Sequence, residues 1–158
     1  MNVTDWLFKS GLFNISATVT LKQALPSDNG TLAFISYVDC SKTACVLRDR
    51  LTKKIIGQSR YRKGERLNWL TFIESGHGDK RLHLHLIIER PDSISFSAFK
   101  KLIGDVCSGL EWVYEQKEIK EIKDIAGSGN RAATCYSLKE GGDAFDLQSS
   151  FLRNHQIG

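Results

Sequence analysis

Two histidines separated by one leucine, His83 and His85, interrupt an otherwise apolar run, RLHLHLIIE. Side chains alternate across a β-strand, so residues two apart project from one face and both imidazoles point the same way. Neutral imidazole is the commonest protein ligand for metal ions, and two of them need a third donor, usually a carboxylate, to complete a divalent site. Glu74 ends the preceding strand-like stretch, RLNWLTFIE, nine residues before His83. Pairing of the two stretches as a hairpin would set it beside the imidazoles. Glu89 shares their strand parity but lies about 13 Å beyond His85 along an extended chain, too far for the same ion. His77, in the connecting SGHGDK, is a weaker substitute.

A histidine on a strand is more often a satisfied surface or core residue, so the other chemistry-bearing residues matter. In YSLKEG, Tyr136 and Lys139 are three apart on an expected short helix and therefore share a face. Alone, they would read as a packed aromatic and a solvated lysine. A phenol titrates near ~10 and is a poor nucleophile at neutral pH unless a nearby cation and a metal-polarised electrophile assist it. Lys139 and an ion on Glu74, His83 and His85 would supply both.

Charge adds a third feature. The stretch from Arg48 to Arg66 holds eight basic residues (Arg48, Arg50, Lys53, Lys54, Arg60, Arg62, Lys63 and Arg66) against Asp49 and Glu65, a local charge of +6 in a chain of net +4. A solvated helix face explains such a run when it stands alone. The functional reading is a polyphosphate footprint, Arg60, Tyr61, Arg62 and Lys63 forming a loop able to contact backbone phosphates and stack on a base.

The elements that must position these residues follow from the pattern of apolar positions. FNISATVTL (residues 13–21) is a β-branched and aromatic strand ended by the turn chemistry of LPSDNG, and is expected at the centre of a sheet. SKTACVLRDRLTKKI places Ala44, Leu47, Leu51 and Ile55 at helical spacing, with Asp39 or Ser41 as the expected N-cap. RLNWLTFIE and RLHLHLIIE form the antiparallel hairpin, ended by Pro91 and Asp92. SFSAFKKLIGDVCSGL sets Phe96, Phe99, Leu102, Ile103, Val106 and Leu110 on one stripe behind a Ser95 cap. EWVYEQKEIKEI alternates as a further strand, although its charges would also allow a helix, and GSGNRAATCYSLKEGG reads as a loop running into a short helix stopped at Gly141 and Gly142. The expected fold is an α+β sandwich, a central antiparallel sheet with helices packed on it.

With 158 residues, 41% of them hydrophobic, the chain can form one domain around one sizeable core. No run reaches the roughly 20 apolar residues of a membrane span, and MNVTDWLFKSGLF lacks the features of a signal peptide, so an intracellular protein without membrane partners is expected. Cys40, Cys45, Cys107 and Cys135 show no CxxC spacing and read as reduced, structural residues.

Taken in order, the motifs resemble those of the HUH endonucleases, specifically the replication-initiator (Rep) branch that starts rolling-circle replication. ATVTL lies where the family's first strand motif belongs, HLH matches His-hydrophobic-His, and YSLKEG matches Tyr, two residues, Lys, then an acid. The resemblance implies a Rep-nuclease, RRM-like sandwich in which His83, His85 and Glu74 bind Mg²⁺ or Mn²⁺. It implies that Tyr136 nicks single-stranded DNA through a 5′-phosphotyrosine, that a later 3′-OH reseals the strand, and that Lys139 stabilises the phenolate or orients the phosphate. Origin hairpin or duplex DNA would be a further partner and no small-molecule cofactor is implied. The cell compartment would be the cytoplasm of a prokaryotic host, or the host nucleus if the replicon is a eukaryotic virus. A single tyrosine in the motif argues against a two-tyrosine scheme. No GxxxxGK[ST] loop is present, so a helicase would come from the host or from a longer parent protein. Two alternatives are a small single-tyrosine transposase of the same superfamily, and a non-catalytic single-strand binding module whose sheet aromatics stack on bases.

Overall fold

Alternation in ISATVTL makes β1 (Ile15–Leu21) two-faced: Ile15, Ala17, Val19 and Leu21 are buried, while Ser16, Thr18 and Thr20 turn to the other side. The computed structural model describes residues 13–75, 81–122 and 144–153. After β1 come β2 (Ala24–Pro26), β3 (Leu32–Phe34), α1 (Tyr37–Ile56), α2 (Gln58–Arg62), β4 (Trp69–Ser75), β5 (Leu82–Ile88), α3 (Phe96–Ser108) and β6 (Val113–Glu121). Strands β4, β5, β1 and β6 form a sheet in that order with every neighbouring pair antiparallel, and β2 and β3 make a separate ribbon. This is the α+β architecture expected from the sequence, with β1 in the interior of the sheet as its apolar alternation required.

One face of the sheet carries α1 and α3, and the main core lies between them. Cys40, Ala44, Leu47 and Leu51 of α1 and Phe99, Ile103 and Val106 of α3 pack on Ile15, Ala17, Val19, Leu84, Leu86 and Ile88. The opposite face holds a smaller cluster of Phe13, Leu70, Phe72, Ile87 and Ala144, with Ile122, Phe145 and Leu152 against it. Because both its faces are covered, β4 is buried along almost its whole length and reads as an apolar run rather than an alternation. Its outer edge is closed by the chain near the C-terminus: Trp69 N–H donates to the Phe151 carbonyl and Phe151 N–H to the Trp69 carbonyl, both at 2.7 Å. Asp146 N–H donates to the Thr71 carbonyl at 2.9 Å, so backbone groups that would otherwise be bare find partners.

The cap of α1 differs from expectation. Ser36, not Asp39 or Ser41, is the N-cap: its hydroxyl accepts from Asp39 N–H at 3.2 Å, and the Asp39 carboxylate accepts from Ser36 N–H at 2.9 Å. Asp39 is thus the N3 member of a capping box. Ser41 lies one turn inside, buried, donating to Asp146 Oδ2 at 2.7 Å. The helix stops at Gly57, whose φ of 85° suits a residue without a Cβ. The Ser95 cap of α3 is as expected, its hydroxyl accepting from Ala98 N–H at 3.2 Å. Cys40, Cys45 and Cys107 are free thiols, and burial pushes Cys40 and Cys107 each up to about 11. Cys135 and the expected C-terminal helix with Gly141 and Gly142 lie outside the described residues.

Candidate metal centre

The hairpin register decides where the candidate ligands meet. Glu74 stands directly opposite His83, and His85 opposes Phe72 on β4 and Thr18 on β1. Directly opposed residues share a face, so Glu74, His83 and His85 converge on the side of the sheet away from the two long helices. Glu74 is buried and both histidines are half-buried. Glu74 Oε2 lies 3.0 Å from His85 Nε2 and 3.6 Å from His83 Nε2, and the two Nε2 atoms are 3.1 Å apart. Donors neighbouring one another on a single ion, each at about 2.1 Å from it, are separated by about 3 Å. The three atoms fit one ion.

The partners of the far ring nitrogens bear on which lone pairs face inward. His83 Nδ1 lies 3.2 Å from the Arg81 carbonyl, which can only accept, so Nδ1 carries the proton and Nε2 the lone pair of the neutral ring. His85 Nδ1 lies 3.1 Å from Thr18 Oγ1, and an Nδ1–H donated there leaves Nε2 in the same state. Two imidazole lone pairs and a carboxylate oxygen crowded within these distances repel one another unless a proton or a metal cation sits among them. One carboxylate and two neutral rings would leave a divalent ion with net positive charge, matched to an anionic oxygen of a substrate. Sequence reasoning missed Thr18. Its parity with Thr20 was readable from ATVTL, but its pairing with His85 depends on a register between β1 and β5 that no local pattern encodes.

Other candidate residues are placed differently. Glu89, excluded on distance, accepts from Asn68 Nδ2 at 2.8 Å and pairs with Arg153 at 3.0 Å. His77, Tyr136 and Lys139 lie outside the described residues. The C-terminal end of the basic segment, Arg66, runs into Trp69 at the start of β4, whereas Glu74 is near that strand's end, about 17 Å along it. Arg60 is held by Glu65 at 2.6 Å, Arg48 by Asp49 at 3.0 Å, and Arg50 donates to the Gly109 carbonyl at 3.3 Å. The pairing holds the Glu65 carboxyl below its ordinary range. The Arg66 guanidinium lies 3.5 Å from the centroid of the Tyr61 ring and the Lys53 ammonium 4.5 Å from it, on a short helix rather than the expected loop. The surface on which Tyr61 was expected to stack a base is already occupied by cations. Lys54, Arg62 and Lys63 remain exposed, with no ion pair among the described residues.

No known protein family, curated protein or solved structure matches the chain. Among the described residues no helix is long and apolar enough to cross a membrane.

Proposed function

We propose that this protein is a metal-dependent nuclease of single-stranded DNA that cleaves and rejoins the strand through Tyr136, acting as a replication initiator. The observation that carries the reading is the convergence of Glu74 with both histidines of the HLH motif, with donor separations of 3.0 to 3.6 Å. The order of motifs, strand, HLH and then Tyr-x-x-Lys, adds to it. A divalent ion on the triad, Mn²⁺ or Mg²⁺, would polarise the scissile phosphate and offset charge on its oxygens. The Arg81 carbonyl and the Thr18 hydroxyl, accepting from the Nδ1–H groups, would keep both Nε2 lone pairs inward.

The reaction is an in-line displacement. The phenol of Tyr136 gives up its proton, its oxygen bonds to phosphorus, and the bond from phosphorus to the 3′ oxygen breaks, with a proton taken up to leave a 3′-OH. The strand is retained as a 5′-phosphotyrosine, and attack by a 3′-OH reverses the step. Lys139, three residues on, would stabilise the phenolate. The chain leaves the segment holding Tyr136 at Ala144 and Phe145, and the Phe145 ring packs 5.5 Å from that of Phe72, the residue opposite His85.

The binding-only alternative is less well supported. Its stacking platform would be exposed aromatic residues of the sheet, and although Tyr114 on β6 is exposed, Phe72, the aromatic that β4, β5 and β1 turn to the triad's face, is fully buried. The test is incubation with a pool of single-stranded oligonucleotides and Mn²⁺, resolved on a denaturing gel. A covalent adduct that disappears with chelator and in Tyr136→Phe is expected. Tight binding without an adduct for any sequence would reject the nuclease in favour of the binding module.

A further inference from the structure

Four of the seven large apolar side chains exposed among the described residues, Leu32, Phe34, Tyr37 and Val38, fall together on β3 and the start of α1. Single exposed apolar residues need no explanation, but a cluster of them marks a binding surface. Phe34 is 75% exposed and Tyr37 54%. Leu32 and Phe34 are two apart on β3 and share a face, whereas Ile35, of the opposite parity, packs on the main core. The two exposed side chains therefore turn away from that core. The ribbon beneath them is closed by Ser27 N–H donating to the Thr31 carbonyl at 2.9 Å, so the support is preformed. From Gln23 to Val38 the chain carries one charge, Asp28, and no cation. Aromatic rings without a basic residue among them offer nothing to a phosphate and fit the flat face of a base.

Two anchors set this stretch beside the triad. The Gln23 side chain, where β1 leads into the ribbon, accepts from Leu82 N–H at 2.9 Å and donates to the Leu82 carbonyl at 3.3 Å, and Leu82 directly precedes His83. Ile35 N–H donates to the Gln23 carbonyl at 2.9 Å, so the ribbon closes on that same anchor. At the other end, Tyr37 Oη donates to the Ile73 carbonyl at 3.2 Å, and Ile73 directly precedes Glu74. Each anchor thus lies one residue, about 3.3 Å along its strand, from a ligand of the triad. Both bonds go to backbone groups, which lie in the plane of the sheet rather than on the face that carries the helices. We infer that bases of the single strand next to the scissile phosphate stack on Phe34 and Tyr37. The inference rests on the nuclease reading and adds to it the place where bases are held while the ion holds the phosphate.

The test is fluorescence anisotropy with a labelled pool of random-sequence single strands and with an abasic strand of the same length and charge. The full chain carrying Tyr136→Phe is used, so that Mn²⁺ is present without cleavage. This protein should bind the pool more tightly than the abasic strand. Phe34→Ala and Tyr37→Ala should each weaken binding of the pool about tenfold, in line with loss of one stacked base, and leave the abasic strand unaffected. Phe34→Trp and Tyr37→Phe, which keep a ring, should bind as the parent does. The slope of log affinity against log salt should not change, because no phosphate contact is removed. Unchanged Mn²⁺ binding by each variant shows that the fold is kept. Alanine variants that bind the pool as the parent does would remove the platform and leave the nuclease standing. An equal loss for pool and abasic strand would overturn it, as would a dimer in sedimentation that Phe34→Ala dissociates without changing strand binding, which would make the patch an interface between copies. Failure of the parent to bind any strand would overturn the nuclease reading and the platform together.

Discussion

At the scale of single residues, the triad depends on partners behind it as much as on the ligands themselves. A hydrogen bond to the far nitrogen of a ligating imidazole sets its tautomer and orientation, and its loss typically lowers metal affinity 10- to 100-fold. Thr18→Val keeps the shape of the side chain and removes the hydroxyl that lies 3.1 Å from His85 Nδ1. It is expected to raise the Mn²⁺ dissociation constant about tenfold, measured by calorimetric titration, with little change in thermal stability. An unchanged constant would show that Thr18 does not orient the ring. The ligands were legible in the sequence because strand alternation is a local property, and a hairpin of RLNWLTFIE with RLHLHLIIE brings Glu74 to His83 with few registers to choose from. Thr18 was not legible because it is some 67 residues from His85 in sequence, and only tertiary pairing joins them. The Tyr61 side chain misled for a related reason: a tyrosine among arginines looks available until packing lays Arg66 and Lys53 over its ring.

At the scale of elements, helix termini and edges carry what periodicity leaves undefined. The run Ala44, Leu47, Leu51 located α1, yet its start lies several residues earlier at Ser36 because Tyr37 and Val38 are exposed and give no periodic signal. Ser36→Ala is expected to cost about 1 kcal/mol in urea unfolding at neutral pH. The bonds from Ser36 hold the Asp39 carboxyl below its ordinary value, so the contribution is present above the ordinary carboxylate range and is lost as pH falls through the lowered value. The difference between Ser36→Ala and the unaltered protein should therefore shrink in acid, and a constant difference would contradict the capping box. Strand β4 illustrates the opposite case. Its uniform burial was not predictable from alternation, because the second cover comes from Ala144 and Phe145, far along the chain. The short β2 and β3 ribbon, three residues on each side of a turn from Ser27 to Thr31, also escaped the sequence reading for want of length.

At the scale of the whole molecule, the C-terminal end of the basic segment, next to Trp69, and the triad mark opposite ends of strand β4. Under the proposed function, duplex or hairpin DNA lies at the basic end, and the single strand runs along the sheet towards the ion. Arg62, Lys63 and Lys54 are the exposed cations available for phosphate there, whereas Arg60 and Arg48 are held by Glu65 and Asp49. Replacing Arg62 and Lys63 by alanine should lower affinity for a hairpin substrate and reduce its salt slope by about 2, with Mn²⁺ binding intact. Replacing Arg60 alone should change that slope less, since its charge is already paired. Equal effects for the paired and unpaired arginines would show that the segment is a diffuse charge rather than an ordered contact surface.

The central claim is that Glu74, His83 and His85 together hold a catalytic divalent ion, and Mn²⁺ titration followed by electron paramagnetic resonance tests it without requiring a known DNA sequence. One bound ion per chain is predicted, with binding abolished in Glu74→Gln and in His83→Ala while both variants keep the circular dichroism of the unaltered protein. Undiminished Mn²⁺ binding by either folded variant would contradict the assignment of the centre and, with it, the nuclease built upon it.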